Sequence, residues 1–387
     1  MEFLNTIDDK SVKELRKFCQ ENNIKKYSSL KKSELKIVIQ TFIQKNTKQE
    51  LGQFYTTNYD YILQNISIPT DVSTIIEPFA GNCDLLKFIS DPTKYHIELY
   101  DIDPKNSQVI QRDTLQNPPS YDDKFVLTNP PYLARNKNKD KSLYDLYKTN
   151  DLYKCFIINL IKSECQGGII IIPLNFISSI RNTDVKLRKQ FVDKFDIQLI
   201  NIFEERVFND TSYSVCSIYF LKKSSVKPHT FNVFIYPSKK VFSSVLCETN
   251  NYTIGGEIYN MKINPDLKIG RATSQSNENI TNIMIKCIDD NDKNKLGFKV
   301  VNDDERFIDN TPNLTARSYA TLTINKNISL EQQHQLVKDM NSYLNDLREK
   351  YNSLFLTNYR ESNTIARKRI SFNLAFQICN HILSSYD

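Results

Sequence analysis

Residues 125–132 read Phe-Val-Leu-Thr-Asn-Pro-Pro-Tyr. The first four suit a short buried strand, and the prolines end it, because proline has no N–H to give a ladder. Outward from this stretch, strand patterns alternate with helical ones. VSTIIEP (72–78) reads as a buried strand, followed by a loop over 79–84 and an apolar helix start. HIELYDID (96–103) is a second strand with an acidic end, and a short third strand ends near Asp113. After residues 125–132 comes a helical stretch over 143–164, then the buried strand GGIIIIPLNFI (167–177). This alternation predicts an α/β fold with a parallel, doubly wound sheet. IQLINIFEE and SYSVCSIYFLKK are two further strands, suited to closing the sheet as an antiparallel pair.

Composition narrows the function classes. The chain has 387 residues, 40% hydrophobic and 25% charged, which excludes wholesale disorder. At ~150 residues per domain, two to three domains are expected. No stretch reaches the ~20 apolar residues of a membrane span. MEFLNTIDDK lacks the basic region and apolar core of a secretory signal. A cytoplasmic protein is therefore expected. With 8 Gly and no GxGxxG, the usual dinucleotide fingerprint is missing. The 8 Cys form no CxxC and the 4 His stand apart from them, so no metal site is expected. A net charge of +6 permits a polyanion partner without requiring one.

Three regions follow. Residues 1–45 show two helical patterns, with Val12, Leu15, Phe18 and Cys19 on one and Leu35, Val38, Ile39 and Phe42 on the other. This unit carries 10 Lys+Arg against 6 Asp+Glu. A polar linker is expected over 45–50. Residues 50–223 hold the sheet. Residues 225–387, with short strands, Asn-rich turns and a long polar helix over 329–351, read as a separate mixed α+β domain.

The chemistry is carried by Asn129, Pro130, Pro131 and Tyr132. A polar turn at a strand's carboxyl end is where open α/β sheets place ligands. The prolines stiffen it, so that the Asn129 side-chain oxygen and the Pro130 carbonyl point outward together as acceptors. Two convergent acceptors suit a planar NH2, whose nitrogen they hold and pyramidalise. Tyr132 offers an aromatic face to the ring bearing that group.

This turn resembles the NPPY motif of S-adenosylmethionine-dependent amino methyltransferases, which have a Rossmann-like class I fold. IIEPFAGNCDLL resembles the family's first motif, which implies that Glu77, Pro78, Ala80, Gly81 and Asp84 wrap the cofactor's methionine part. Cys83 stands where members often carry a second glycine. YDIDP resembles the second motif, with Asp101 on the ribose hydroxyls and Ile102 beside it. QRDTL resembles the third, with Asp113 on the adenine amino group and Thr114 next to it. GQFYTTNYDYIL resembles the tenth motif, which implies that Gln53, Tyr55 and Thr56 touch the cofactor's carboxylate end; Thr57 replaces a frequent proline. Asn129 faces both cofactor and target.

The motif order resembles the gamma class of DNA adenine-N6 methyltransferases of type II restriction–modification systems. It implies S-adenosyl-L-methionine as cofactor, double-stranded DNA as partner and a cognate restriction endonuclease as a possible companion. Residues 225–387 would be the target recognition domain by position. Residues 1–45 resemble a SAP-type DNA-binding module; the alternative is a helical hairpin that packs on the main domain or on another protein. Cytosine N4, an RNA base, a release-factor glutamine and an inactive DNA specificity module stay open as alternatives. No nuclease strand is evident, and DDERFIDN (303–310) reads as a surface loop.

Duplex DNA hides the amino group, so the base must flip out. Tyr132 would then cover one face of it and Phe208 the other, with Tyr213 in reserve. Arg135 and Lys137, in the basic loop 134–142, are candidate DNA contacts, as are Arg317, Arg360, Arg367, Lys368 and Arg369.

Overall fold

A computed structural model describes residue 3 and residues 6–54, 56–208, 214–276, 279–288, 290, 295–309, 318–359 and 367–386. Among the described residues, nine strands form the central sheet. They are β1 Thr74–Glu77, β2 His96–Asp101, β3 Ile110–Gln111, β4 Phe125–Thr128, β5 Gly167–Pro173, β6 Phe195–Phe203, β7 Val215–Lys222, β8 Thr230–Tyr236 and β9 Lys240–Val245. Their order is β3-β2-β1-β4-β5-β7-β6-β8-β9. Strands β1 to β5 pair in parallel. β7 runs antiparallel to both β5 and β6. The chain winds outward from β1 to β3, then returns to β4 on the other side of β1. That reversal is the switch point at which an open α/β sheet leaves a crevice at its carboxyl ends.

The inner strands are apolar because both faces are covered. Ile169, Ile170, Ile171 and Ile172 are all fully buried in β5. The helix Leu152–Lys162 buries most of its length, and Phe191 of the helix Asn182–Lys194 packs with Phe195 and Phe220.

Four features depart from the sequence reading. The helix expected after the 79–84 loop is a short 3-10 turn, Asp84–Phe88. The helical stretch 143–164 is two helices, Ser142–Tyr147 and Leu152–Lys162, separated where Lys148 turns left-handed at φ +51°. The boundary at 223–225 falls inside the sheet, because β8 pairs in parallel with β6 and β9 pairs antiparallel with β8. β6 would otherwise be an unpaired apolar edge, and TFNVFIY covers it. The linker at 45–50 lies within a helix, Lys32–Leu51. Nothing in KNTKQE breaks a helix; Gly52, at φ +68°, is the first residue that does.

The N-terminal helices, Val12–Glu21 and Lys32–Leu51, bury Ile7, Leu15, Cys19, Leu35 and Ile39 in a small core of their own. A second sheet comprises β10 Ile269–Arg271, β11 Ile280–Lys286, β12 Gly297–Val300 and β13 Tyr319–Ile324, antiparallel and ordered β10-β13-β11-β12. The long helix Leu330–Tyr351, capped by Ser329 and Gln332, lays Leu336, Met340 and Leu344 against this region. Among the described residues, no helix is long and apolar enough to cross a membrane.

Gly168 sits between β4 and β7, where an added Cβ would lie 2.5 Å from the Val126 carbonyl oxygen and 3.1 Å from the Phe220 ring. Gly168→Ala is expected to destabilise the fold by about 1–3 kcal/mol through overpacking. Urea denaturation should show a lower midpoint with an unchanged slope.

Candidate active site

Asn129 emerges at the carboxyl end of β4 and is nearly buried. Its Nδ2 donates to the Phe54 carbonyl oxygen at 2.7 Å and to Thr56 Oγ1 at 3.0 Å. Its Oδ1 accepts from the Tyr132 hydroxyl. That hydroxyl also lies 2.7 Å from the Ile171 carbonyl oxygen. The Tyr132 N–H donates to the Gly52 carbonyl oxygen at 2.9 Å. A Cβ on Gly52 would meet the Tyr132 carbonyl oxygen at 2.8 Å, so only glycine allows this approach. The 52–56 segment and the Asn-Pro-Pro-Tyr turn are therefore laced together.

Tyr132 corrects an expectation. It is 2% exposed, and its ring is stacked on Phe54 with centroids 5.2 Å apart and planes 26° apart. Tyr153 meets it edge-on at 6.3 Å. Burial raises its phenol well above the ordinary value. Its face is thus covered instead of open to a target ring, and the Asn129 oxygen is turned to Tyr132 instead of outward. Phe208 is 4% exposed and lies 6.3 Å from Phe54. Tyr55 and Tyr213 lie outside the described residues.

Beside the turn lies a cavity of about 270 Å³. Gln53, Thr56, Glu77, Ala80, Gly81, Asp84, Asp101, Ile102, Asp113, Thr114, Asn129 and Pro131 all line it. Pro78 and Pro130 do not; the Pro78 carbonyl oxygen instead accepts from Thr114 Oγ1 at 2.9 Å, tying the β1 loop to the β3 loop. Asp101 is buried and well held: Oδ2 accepts from the Gly81 N–H at 2.8 Å, and Oδ1 accepts from the Asp103 N–H at 2.8 Å and from Gln53 Nε2 at 3.2 Å. Asp113 Oδ1 accepts from the N–H groups of Leu115 and Gln116, both at 3.0 Å. Glu77 is 1% exposed, and its Oε2 has no hydrogen-bond partner among the described residues. Burial, then the charges of Asp101 and Asp84, push its carboxyl well above the usual range. Cys83 adopts φ +62°, the left-handed region, which accounts for glycine at that place in the resembling motif.

Several lining residues escaped the sequence reading. Phe54 stands inside the GQFYTT stretch but gives no polar signal. Phe79 and Leu115 add apolar walls. Asn138 and Asp140 reach the cavity from the loop read as a DNA contact. In that loop, Arg135 pairs with Asp145 at 2.7 Å and Lys137 ends an exposed 3-10 turn. Arg317 and Arg360 fall outside the described residues. Arg367 and Arg369 lie in a strand, Arg367–Arg369, that pairs with Thr357–Tyr359 away from the cavity lining. Lys368, also read as a DNA candidate, is 8% exposed and pairs with Glu204 at 3.1 Å, so it is not presented to a partner.

A parallel sheet reversing between β1 and β4, closed by antiparallel β7, with acids at the ends of β1 and β2 and an Asn-Pro-Pro-Tyr turn after β4, has the class I methyltransferase fold. Residues 93–326, more than half of the chain, match the N-6 DNA methylase family model, and the chain belongs to that family. Three solved structures resemble part of it. The DrdV–DNA complex is 14% identical over 64% of this chain and 36% of its own, with a TM-score of 0.40. The M protein of the type I restriction enzyme EcoKI is 13% identical over 58% and 59%, TM-score 0.35. The type I restriction–modification methyltransferase subunit from Streptococcus thermophilus is 15% identical over 52% and 51%, TM-score 0.34. The chain therefore spans less than two thirds of the length of each. No curated protein matches it.

Asp151 anchors the chain just beyond the turn. Its Oδ1 accepts from the Leu133 N–H at 3.1 Å. Burial pushes its carboxyl up to about 7, against the pull of Lys154, whose ammonium is bonded to Asp184 at 2.5 Å. The unfolded carboxyl titrates near ~3.9, so the folded state holds the extra proton between the two values. Its contribution to stability is present below about 4 and lost as pH rises through about 7. Asp151→Asn keeps an oxygen for Leu133 and removes the titration. Its urea midpoint should vary less than wild type between pH 5 and 8. The difference should move in the variant's favour with rising pH, by up to roughly 2.7 kcal/mol over that range.

Proposed function

We propose that this protein transfers a methyl group from S-adenosyl-L-methionine to the N6 amino group of adenine in a short duplex DNA site. The observation that carries the reading is the Asn129-Pro130-Pro131-Tyr132 turn, set beside an acid-lined cavity at the switch point of the sheet. The cavity suits that cofactor. Glu77 Oε2 is buried near Asp84 and Asp101 with no hydrogen-bond partner among the described residues, a deficit of positive charge that a sulfonium and an ammonium would fill. Asp101 would receive the ribose hydroxyls and Asp113 the adenine amino group, with Ile102 and Leu115 against the ring. Gln53, Tyr55, Thr56, Glu77, Pro78, Ala80, Gly81, Asp84 and Thr114 would shape the remainder.

When bound, the cofactor supplies a methyl group on positively charged sulfur, open to in-line attack by an amine. The chain's own contribution is positioning and exclusion of water. Asn129 Oδ1 and the Pro130 carbonyl oxygen accept the two amino hydrogens and turn the lone pair out of the ring plane. The surplus proton leaves after transfer, so no strong base is needed. The motif order supports the gamma class. We assign target recognition to residues beyond the nine-stranded sheet, and DNA contact to the 134–142 loop and to the basic, SAP-like N-terminal helices. Phe208 would be the second stacking ring.

Labelled cofactor incubated with unmethylated plasmid DNA should yield N6-methyladenine; label appearing in RNA or protein instead overturns the DNA reading. Asn129→Ala should abolish transfer while S-adenosylhomocysteine binding, measured by calorimetry, changes little. Asp101→Ala should weaken that binding at least tenfold, as expected for loss of charge-assisted hydrogen bonds at about 1.5–3 kcal/mol each.

Lys25, Lys26 and Lys31 are exposed on the N-terminal unit. Replacing all three with Gln should reduce the slope of log affinity against log salt by up to about 0.9 per lost phosphate contact. An unchanged slope would leave the unit a protein-packing element.

A further inference from the structure

We infer that Phe54 occupies the slot the target base must enter, and that it is a positioning residue displaced when the base arrives. This deepens the proposed methyltransferase reading and rests on it. A base presented to Asn129 needs the face of Tyr132 for stacking. That face is covered by Phe54, 5.2 Å away and within 26° of parallel. Phe208, the ring proposed for the opposite face, also neighbours Phe54, at 6.3 Å and 38°. Phe54 thus lies against both rings between which a planar base is to be held. The hydrogen bonds agree with this placement. The Phe54 carbonyl oxygen holds Asn129 Nδ2, and the Asn129 oxygen meant for an amino group is taken by Tyr132.

Phe54 is also built to move. It is only partly buried, whereas Tyr132 and Phe208 are 2% and 4% exposed. It follows Gly52, whose left-handed backbone ends the helix Lys32–Leu51. The side chain of its neighbour Gln53 donates to Asp101 Oδ1 at 3.2 Å, and both residues line the cavity. A ring whose occupied state blocks the base lowers the apparent affinity for DNA by the fraction of molecules that are open.

The chain contains no tryptophan, so Phe54→Trp installs a sole indole fluorophore in the slot. Two measurements run together on the full chain: labelled methyl transfer to unmethylated plasmid DNA, and indole emission with S-adenosylhomocysteine and the same DNA. The expected result is a red shift of emission on adding DNA, as the ring leaves its apolar site. Phe54→Ala should raise kcat/KM for DNA about fivefold, the equivalent of an aromatic contact of ~1 kcal/mol. It also serves if the indole variant fails to fold. Transfer by wild type with unshifted indole emission, or with kcat/KM lowered in Phe54→Ala, overturns the displaced-ring proposal and leaves the enzyme reading intact. Absence of transfer by wild type overturns the enzyme reading, and this one with it.

Discussion

The side-chain amide of Asn129 is held at both ends, and the candidate site takes its shape from that restraint. Its nitrogen is fixed by the Phe54 carbonyl and Thr56, its oxygen by Tyr132. The restraint is long-range: it joins the end of β4 to a segment that enters from the N-terminal helix. Gly52 makes the junction possible, because any Cβ there would strike the Tyr132 backbone. β4 in turn is fixed by its neighbours β1 and β5, both buried. An amide placed on a rigid strand end and clamped from a separate segment keeps a defined direction, as positioning chemistry requires.

The neighbouring cavity is selective by charge. Glu77, Asp84 and Asp101 stand together, and only Asp84 has an ion-pair partner in the vicinity, Lys87 at 2.8 Å, among the described residues. Asp101 is satisfied by backbone N–H groups and Gln53. Glu77 lacks such bonds and burial favours its neutral form. Asp84 and Asp101 make this edge of the cavity acidic, while Arg112 lines it elsewhere. A pyrophosphate-bearing dinucleotide would meet these carboxylates, whereas a nucleoside carrying a sulfonium would be drawn to them.

The strand pattern, the antiparallel closing pair and the acids at strand ends were legible because each rests on local sequence: a buried run, a proline stop, a carboxylate after a strand. The parts that were not legible depend on distant pairings. β8 largely alternates buried with exposed or half-exposed positions, so nothing in TFNVFIY announces that it pairs with β6. The polar run at 45–50 looked like a linker, yet it contains no residue that stops a helix. Tyr132 and Phe54 are 78 positions apart, and no periodicity says which ring covers the tyrosine. Asn138 and Asp140 were masked by the lysines around them, whose charge drew the reading toward DNA.

The closed arrangement of the turn follows from the function proposed for it. A site built to accept two hydrogens from an amino group holds buried acceptors that would be orphaned when no substrate is present, and an orphaned buried acceptor costs roughly 1–3 kcal/mol. Tyr132 removes that penalty by donating to Asn129 Oδ1, and the same ring buries Phe54 against it. Substrate entry is then an exchange of partners: an amino hydrogen for a phenol hydrogen at Asn129, and a base ring for a phenyl ring at Tyr132. The Ile171 carbonyl oxygen, 2.7 Å from the same hydroxyl, stands ready to accept the released phenol proton as a hydrogen bond. On this reading Asn129 Oδ1 and the Tyr132 hydroxyl each keep a hydrogen-bond partner before and after the exchange.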